Sequence, residues 1–215
     1  DYPHNILGFN DLRQLDSGDF IEASGTLGKT KLGEVSVLTS QLRLLTKSLR
    51  PLPDVHEGLS NVETRYRQRY VDALVNPEVT QTLLLRARVM KTIRTFLESN
   101  GFIEIETPVL QPIYGGASAR PFITHHHKLD SDLYLRVSDE LYLKRAVVAG
   151  FEKVYEFGHD FRNEGIDPEH NPEFTMLEFY WAYADYNDLM DLTEQMLTKI
   201  FDEVLGTSMI SYQGE

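Results

Sequence analysis

The sequence has no cysteine and no long apolar run, and these absences exclude several kinds of protein. None of the 215 residues is cysteine, so disulfides and thiolate metal sites are excluded, and any metal would need oxygen or histidine ligands. No segment reaches the roughly eighteen consecutive apolar residues of a membrane span. The opening DYPHNILGFN also lacks the basic and apolar regions of a signal peptide. We therefore expect a cytosolic protein that does not associate with membranes.

The net charge of −12 is unevenly distributed along the chain. Residues 1–70 contain nine Lys/Arg and nine Asp/Glu, which leaves 12 basic and 24 acidic residues for the rest of the chain. This acidity argues against a general nucleic-acid coat protein, because binding to phosphates requires Lys and Arg. The neutral first part carries GKTK and RYRQRY, and it remains compatible with contact to a polyanion.

The first third of the chain has the pattern of a small β-sheet or barrel. Between Gly18 and Thr46 three short strands are predicted, DFIEASGTL, VSVLTS and LRLLT, with GKTKLG between the first two. The proline-rich, polar stretch SLRPLPDVHEGLS is typical of a linker. We place a domain boundary near residues 53–60.

From Pro77 onward the pattern predicts helices around a sheet. The segment VTQTLLLRARVMKTIRTFLESNGF has apolar residues at three- and four-residue steps and a stop at Asn100-Gly101, and a second helix is predicted from Asn187 to Val204, closing at Gly206. FIEIETP between them predicts a short strand. The fold class is therefore α+β. The two predicted core stripes are Leu83, Val89, Met90, Ile93, Phe96 and Leu97, and Leu189, Leu192, Met196, Leu197, Ile200 and Val204.

Two further strands, KVYEFGHDFRNEG and PEFTMLEFYWAYA, are predicted on either side of the polar loop GIDPEHNP. Because side chains alternate between the faces of a strand, Arg162 and Glu164 should share one side. On the returning strand we assign Thr175, Leu177, Phe179 and Trp181 to the core and Phe174, Met176, Glu178 and Tyr180 to the opposite face.

The residue types on that opposite face suit a nucleotide and an amine. An arginine such as Arg162 forks onto two oxygens of a phosphate or carboxylate and stabilises developing negative charge. Phe174 offers a flat surface for a purine, and His170 in the loop could reach outer phosphates. Glu178 would pair with an ammonium group, and Tyr180 would add a hydroxyl. Taken singly, each of these residues is more often part of a rim ion pair or an aromatic core.

These segments together resemble a known family. FRNEG, a variable loop and HNPEFTMLEFY look like the second signature motif of class II aminoacyl-tRNA synthetases, in the form found in lysyl-tRNA synthetases. FLESNGFIEIETPVLQPI resembles the first motif, and ETRYRQRYVDALVNPEV resembles the entry to the catalytic domain. GDFIEASGTLGKTKLGEVSV is similar to later strands of the family's anticodon-binding OB barrel. The resemblance implies a partial OB-fold domain with a linker at residues 1–58 and a class II catalytic domain, with an antiparallel sheet and flanking helices, at residues 59–215.

The resemblance also implies a reaction and a set of site residues. Lysine and ATP would form lysyl-adenylate, and the lysyl group would then pass to tRNA(Lys). Mg²⁺ would be required, and the protein would be a homodimer. Arg162 would be the catalytic residue. The implied ATP-binding residues are Arg162, Glu164, His170, Asn171 and Phe174, and the implied lysine-binding residues are Gly116, Glu140, Arg162, Glu178 and Tyr180. The third motif and the acidic Mg²⁺ ligands are expected beyond Glu215, so we expect this segment alone to be inactive.

Several alternatives stay open. Gly116 could serve only to turn the chain, and Glu140 could be a helix-start carboxylate favoured by the helix dipole. The protein could instead transfer lysine to a protein substrate, or be a non-catalytic paralogue that binds tRNA or a partner protein. Zinc binding by His125, His126 and His127 is disfavoured, because adjacent strand residues face opposite ways.

Overall fold

The computed structural model describes residues 7–53 and 58–211, and contacts divide the chain into two compact units, Asp1–Leu84 and Leu85–Glu215. A short 3₁₀ helix, Phe9–Gln14, precedes the strands and helices. In chain order these are β1 (Phe20–Lys29), β2 (Val35–Thr46), α1 (Val62–Arg67), α2 (Arg69–Val75), α3 (Pro77–Ser99), β3 (Ile103–Glu104), β4 (Leu110–Gln111), β5 (Ile123–His126), β6 (Ser131–Leu135), α4 (Glu140–Val148), β7 (Lys153–Phe161), β8 (Glu173–Trp181) and α5 (Tyr186–Ile200). A π-helical turn, Phe201–Leu205, follows α5.

The predicted three-strand meander is a two-stranded antiparallel hairpin, β1 paired with β2. The prediction of separate strands VSVLTS and LRLLT was wrong, since both lie in β2. A register irregularity at Ser24 and Gly25 absorbs one extra residue of β2, and the Ser40 hydroxyl donates to the Ser24 carbonyl at 3.1 Å there. A β-bulge therefore replaces the predicted break.

Helices α1 and α2 lie in the first unit and are held by a buried carboxylate. Asp72 is fully buried and accepts hydrogen bonds from Arg65 Nε at 2.8 Å, Arg69 Nη1 at 2.6 Å and Asn76 Nδ2 at 2.6 Å. Asn76 Nδ2 also donates to the Leu59 carbonyl at 3.2 Å. These contacts place the helices in the same compact unit as the preceding segment. The domain boundary near residues 53–60 is not tested by this division and stays a prediction.

The second unit contains two three-stranded sheets, with strand orders β3-β7-β8 and β4-β6-β5. Most strand pairs are antiparallel, as the α+β prediction requires, but β3 runs parallel to β7. The long β7–β8 pair is the frame of the candidate site, because it carries both FRNEG and the returning strand.

The core of the second unit lies between this sheet and the two long helices. Its buried residues are Phe96, Leu97, Phe102, Tyr155, Leu192 and Met196. Leu177, Phe179 and Trp181 of β8 pack against them, which confirms three of the four residues predicted for the core face. The fourth, Thr175, accepts a hydrogen bond from Arg86 Nη2 at 2.9 Å. Phe102 meets Phe179 and Trp181 edge-to-face, with ring centroids 5.9 and 6.1 Å apart, a geometry that aromatic quadrupoles favour.

Both long helices form where predicted, but their apolar stripes are shorter than expected. Leu83 is 52% exposed and Leu197 is 47% exposed, so the assignment of these two residues to the core was wrong. Helix α5 buries Leu192 and Met196 on one side, and Leu197 falls just beyond that side. No helix among the described residues is long and apolar enough to cross a bilayer.

The stop of α3 at Asn100-Gly101 gives a first stability prediction. Gly101 has φ +82°. Its N–H donates to the Glu98 carbonyl at 3.0 Å, and the Phe102 N–H donates to the Leu97 carbonyl at 3.0 Å, which is the pattern of a Schellman cap. We expect Gly101→Ala to lower the free energy of unfolding by about 1–2 kcal/mol, the cost of a left-handed L-residue. Urea unfolding measures this. Gly165→Ala is the control, because it has φ outside the left-handed range and no atoms near an added Cβ; an equal loss there would contradict the prediction.

Candidate active site

The register of β7 against β8 sets up the face that carries the candidate site. Glu156 lies opposite Glu178, and Asp160 lies opposite Phe174. Since positions two apart share a face, these pairs lie on the side of the sheet away from the core residues of β8. Tyr180 extends the same face. The sequence pattern therefore predicted the correct orientation of β8.

Arg162 and Glu164 follow β7 in a turn rather than extending the strand. Strand β7 ends at Phe161, and the Glu164 N–H donates to the Arg162 carbonyl at 3.0 Å. The strand argument, which placed Arg162 and Glu164 on one side by alternation along β7, was therefore wrong, although both residues line one cleft. The turn is anchored by the Arg162 N–H on the Pro172 carbonyl at 2.9 Å, and the Arg120 N–H donates to Glu164 Oε1 at 3.3 Å.

A cleft of about 590 Å³ opens beside this turn. It brings together all five residues that the resemblance assigns to ATP: Arg162, Glu164, His170, Asn171 and Phe174. His170 Nδ1 lies 2.8 Å from Asp167, and that hydrogen bond holds the pKa of Asp167 below its usual value. Asn171 Nδ2 donates to the Glu173 carbonyl at 2.5 Å. The loop is thus ordered by its own polar contacts, with the cleft between it and the strands.

Arg162 is positioned with free hydrogen-bonding capacity. Its guanidinium carbon lies 5.0 Å from the centroid of the Phe174 ring, within cation–π range. Its Nε is buried and has no hydrogen-bond partner among the described residues. A buried donor without a partner costs free energy, so this guanidinium is suited to an anionic ligand in the adjoining cleft.

Glu178 lies at the centre of a second polar pocket. Its Oε1 accepts from Ser138 Oγ at 2.6 Å and from the Asp139 N–H at 3.3 Å. Its Oε2 accepts from Tyr180 Oη at 3.0 Å. Burial and the Glu178 charge raise the pKa of Tyr180, which keeps the phenol protonated as a donor. The carboxylate is therefore held in a fixed orientation.

Gly116 and Glu140 lie beside the same pocket. Gly116 has φ +90°, and a Cβ there would lie 2.7 Å from Ser138 Oγ and 2.9 Å from Glu140 Cβ. Glu140 is the first residue of α4, and Lys144 Nζ donates to its Oε1 at 2.6 Å. Both structural alternatives, the turn and the helix start, therefore describe these residues correctly. Both residues also lie next to Ser138, which donates to Glu178.

Sequence reasoning missed a buried charge cluster beneath this pocket. Arg136 is 3% exposed, and its guanidinium lies 2.6 Å from Glu156, 2.9 Å from Asp139 and 3.4 Å from Asp160. One available signal was that Glu156 and Asp160, four residues apart on β7, lie on one face of the strand, and that Arg162 follows at the same two-residue spacing. Arg136 and Asp139 come from a distant part of the sequence, and no local pattern links them to β7.

The three carboxylates Asp139, Asp160 and Glu178 offer oxygens within 4.8 Å of one another, but they do not fit Mg²⁺. That ion requires near-octahedral oxygen geometry and keeps several waters, whereas Arg136 already lies in this cluster and Glu178 is bound by Ser138 and Tyr180. We derive no step through Mg²⁺. Of the three histidines, His125 Nδ1 lies 3.0 Å from Asp132 and its ring centroid lies 5.4 Å from that of His127, whereas His126 Nδ1 accepts from the Leu129 N–H.

Comparison with known proteins agrees with this arrangement. The family model for class II tRNA synthetases (D, K and N) matches residues 61–213. The chain belongs to the class II tRNA synthetases. The matched range contains both the cleft beside Arg162 and the pocket at Glu178.

Individual synthetases of this class are similar over almost the whole chain. A lysine-tRNA ligase of Carboxydothermus hydrogenoformans is 60% identical over 94% of this chain, one of Thioalkalivibrio sulfidiphilus is 59% identical over 96%, and one of Nostoc punctiforme is 59% identical over 96%. The aligned part is 41%, 42% and 37% of these relatives. The chain thus spans about two fifths of the length of the curated relatives it matches.

Proposed function

We propose that the protein containing this chain is a lysine-tRNA ligase, which activates lysine with ATP and transfers it to tRNA(Lys). The observation that supports this most directly is the fixed, half-buried carboxylate of Glu178 within an acidic pocket, next to a separate cleft that contains Arg162. An anionic pocket selects a substrate with a positive charge. The name of the similar ligases supports the same choice.

The family description carries the one-letter codes of aspartate, lysine and asparagine, and electrostatics favours lysine among the three. Glu178 and Glu140 lie at the pocket, and Asp139 and Asp160 lie beneath it beside Arg136, which is shared with Glu156 and Thr107. The side chain of aspartate would bring a further negative charge into this acidic environment, and asparagine would leave Glu178 without an ionic partner. Either choice leaves a buried polar group poorly paired, which costs about 1–3 kcal/mol.

In the proposed site, Arg162 contacts the α-phosphate and the lysine carboxylate. Phe174 stacks on adenine, Glu164 contacts the base, and His170 and Asn171 contact ATP. Lysine lies against Gly116, Glu140, Glu178 and Tyr180. The carboxylate of lysine attacks the α-phosphorus and pyrophosphate leaves, so no protein side chain acts as the nucleophile. Catalysis then comes from positioning and from stabilisation of the developing charge by Arg162.

We also propose that the protein is a homodimer. The resemblance of FLESNGFIEIETPVLQPI to the first motif of the family supports this. Sedimentation of the product of the complete reading frame should give twice the monomer mass, and a monomer would contradict this.

The OB-fold assignment of residues 1–58, Mg²⁺ and a cytosolic location remain predictions; the hairpin β1–β2 is compatible with part of an OB barrel.

The direct test is amino-acid-dependent exchange of pyrophosphate into ATP, measured with all twenty amino acids. It should be run on the product of the complete reading frame beside the 215-residue chain. We expect exchange with lysine in the former alone. Exchange with another amino acid would overturn the substrate assignment, and silence from a folded full product would favour a non-catalytic paralogue.

Phe174 gives a prediction for the nucleotide cleft. We expect Phe174→Leu to raise the KM for ATP by roughly 5- to 150-fold, because base stacking on an aromatic contributes about 1–3 kcal/mol. The KM for lysine should change little, since Glu178 and Tyr180 are untouched. The control is Phe151→Leu, which alters an aromatic that is 43% exposed before β7. An unchanged KM for ATP in Phe174→Leu would contradict the stacking role.

A further inference from the structure

Two buried aspartates beneath the Glu178 pocket accept no hydrogen bond within the part of the chain that the structure describes. Asp139 and Asp160 are both 0% exposed, and none of their four carboxylate oxygens has a hydrogen-bond partner among the described residues. Asp139 is the N-cap residue of α4, yet its side chain makes no capping hydrogen bond. Buried carboxylates in this state are costly, and helix capping does not account for Asp139.

The nearest cation does not satisfy them. Arg136 Nη1 lies 2.9 Å from Asp139 Oδ1, but it donates its hydrogen bonds to Glu156 Oε1 at 2.6 Å and to Thr107 Oγ1 at 3.0 Å. Arg136 Nε donates to the His159 carbonyl at 3.0 Å. One guanidinium is therefore shared among three acids, and the hydrogen bonds of its Nε and Nη1 go to other acceptors.

The remaining way to form a hydrogen bond within the pair is to place a proton on it. One oxygen from each of Asp139, Asp160 and Glu178 lies within 4.8 Å of the other two, and two carboxylates this close cannot both ionise easily. The charged or titratable groups around the pair are Arg136, Glu140, Glu156, Arg162, Glu178 and Tyr180. Acids outnumber cations in this set. Burial raises the pKa of Asp139 and of Asp160, with mutual repulsion adding to that of Asp139.

We propose that Asp139 and Asp160 share one proton when the pocket is empty, and that binding of an ammonium group at Glu178 releases this proton to solvent. The carboxylic acid O–H bond breaks, the proton goes to the buffer, and the pair becomes doubly ionised beside the new positive charge. This inference rests on the proposed function, because lysine supplies the ammonium. The two aspartates would then be positioning residues that adjust the charge of the pocket to its substrate.

Calorimetric titration of lysine into the product of the complete reading frame tests the proposal. Titrations at one pH in PIPES and in Tris, whose ionisation enthalpies differ, should give different heats, with up to one proton released per lysine. Lysine affinity should rise between pH 6 and 8 by up to about tenfold per pH unit, the limit for one linked proton. Asp160→Asn should abolish the release and leave the affinity nearly independent of pH. Asp132→Asn, a change at an exposed aspartate on β6, is the control and should retain both effects.

The possible results distinguish a failure of the shared proton from a failure of the proposed function. Lysine binding with equal heats in both buffers would overturn the shared proton while leaving the proposed function intact. A lysine affinity that follows K⁺ or Na⁺ concentration rather than pH would place a metal cation in the cluster and also overturn it. Absence of lysine binding to the folded wild-type protein would remove the proposed function itself.

Unfolding provides a readout that needs no ligand. A carboxyl group whose pKa is raised by folding stabilises the folded state fully at a pH below its unfolded value of about 3.9, and this contribution is lost as pH rises through the folded value. The urea midpoint of the wild type should therefore decline from pH 5 to pH 8 relative to that of Asp139→Asn and Asp160→Asn. Parallel curves for all three proteins would contradict a raised pKa in the pair.

Discussion

Glu178→Gln should weaken lysine activation far more than it weakens ATP binding. Glutamine keeps the shape of the side chain, so Ser138 and Tyr180 retain a neighbour, but the charge that would meet the substrate ammonium is lost. Breaking a buried, hydrogen-bonded charge pair costs about 2–5 kcal/mol, which corresponds to roughly 30- to 5,000-fold in the apparent affinity for lysine. Steady-state pyrophosphate exchange with varied lysine and varied ATP measures the two effects separately.

Glu164→Gln is the matched control for this prediction. It makes the same chemical change in the nucleotide cleft, where Glu164 accepts from the Arg120 N–H. We expect its main effect on the KM for ATP, the reverse of the Glu178 variant. Equal losses for lysine and ATP in Glu178→Gln would contradict its assignment to the lysine pocket, and thermal unfolding should show that both variants remain folded.

Sequence alone predicted the features that depend on local rules. The end of α3 at Gly101 follows from the left-handed conformation that glycine tolerates, and the two faces of β8 follow from alternation. Alternation along β8 suffices to orient Phe174, Glu178 and Tyr180 away from the core. The five residues assigned to the nucleotide came from a motif resemblance, and the structure groups them in one cleft.

The features that sequence reasoning missed depend on contacts between distant segments or on the continuity of a strand where an interruption was predicted. Strand β2 continues through Ser40 because a bulge keeps its pairing with β1, and no residue type in the sequence marks this. Arg136 meets Glu156 only after β6 and β7 have been placed in space. Helix α4 was not predicted either, since Glu140 was considered only as a helix start and no end was identified. Long-range charge clusters therefore need coordinates.

Arg162→Gln should lower the rate of lysyl-adenylate formation by about 10²- to 10³-fold, the effect of removing one group that stabilises transition-state charge. The guanidinium is half-buried beside Phe174 and has an unpartnered Nε, so it is available to an anion without breaking an existing ion pair. Because negative charge develops during attack on the α-phosphorus, kcat should fall more than the KM for ATP rises. Single-turnover formation of the adenylate measures the chemical step directly.

Arg162→Lys separates charge from geometry at the same position. Lysine keeps a positive charge but lacks the planar fork that binds two oxygens, so its rate should lie between those of the wild type and Arg162→Gln. Both variants should fold, because the hydrogen bond from the backbone N–H of residue 162 to the Pro172 carbonyl is retained. Arg67→Gln, at an exposed ion pair, is the control for loss of a surface charge. A higher KM with unchanged kcat in both variants would assign Arg162 to ground-state binding alone. Full activity in Arg162→Gln would remove it from the site, since no other arginine lines the nucleotide cleft within the described residues.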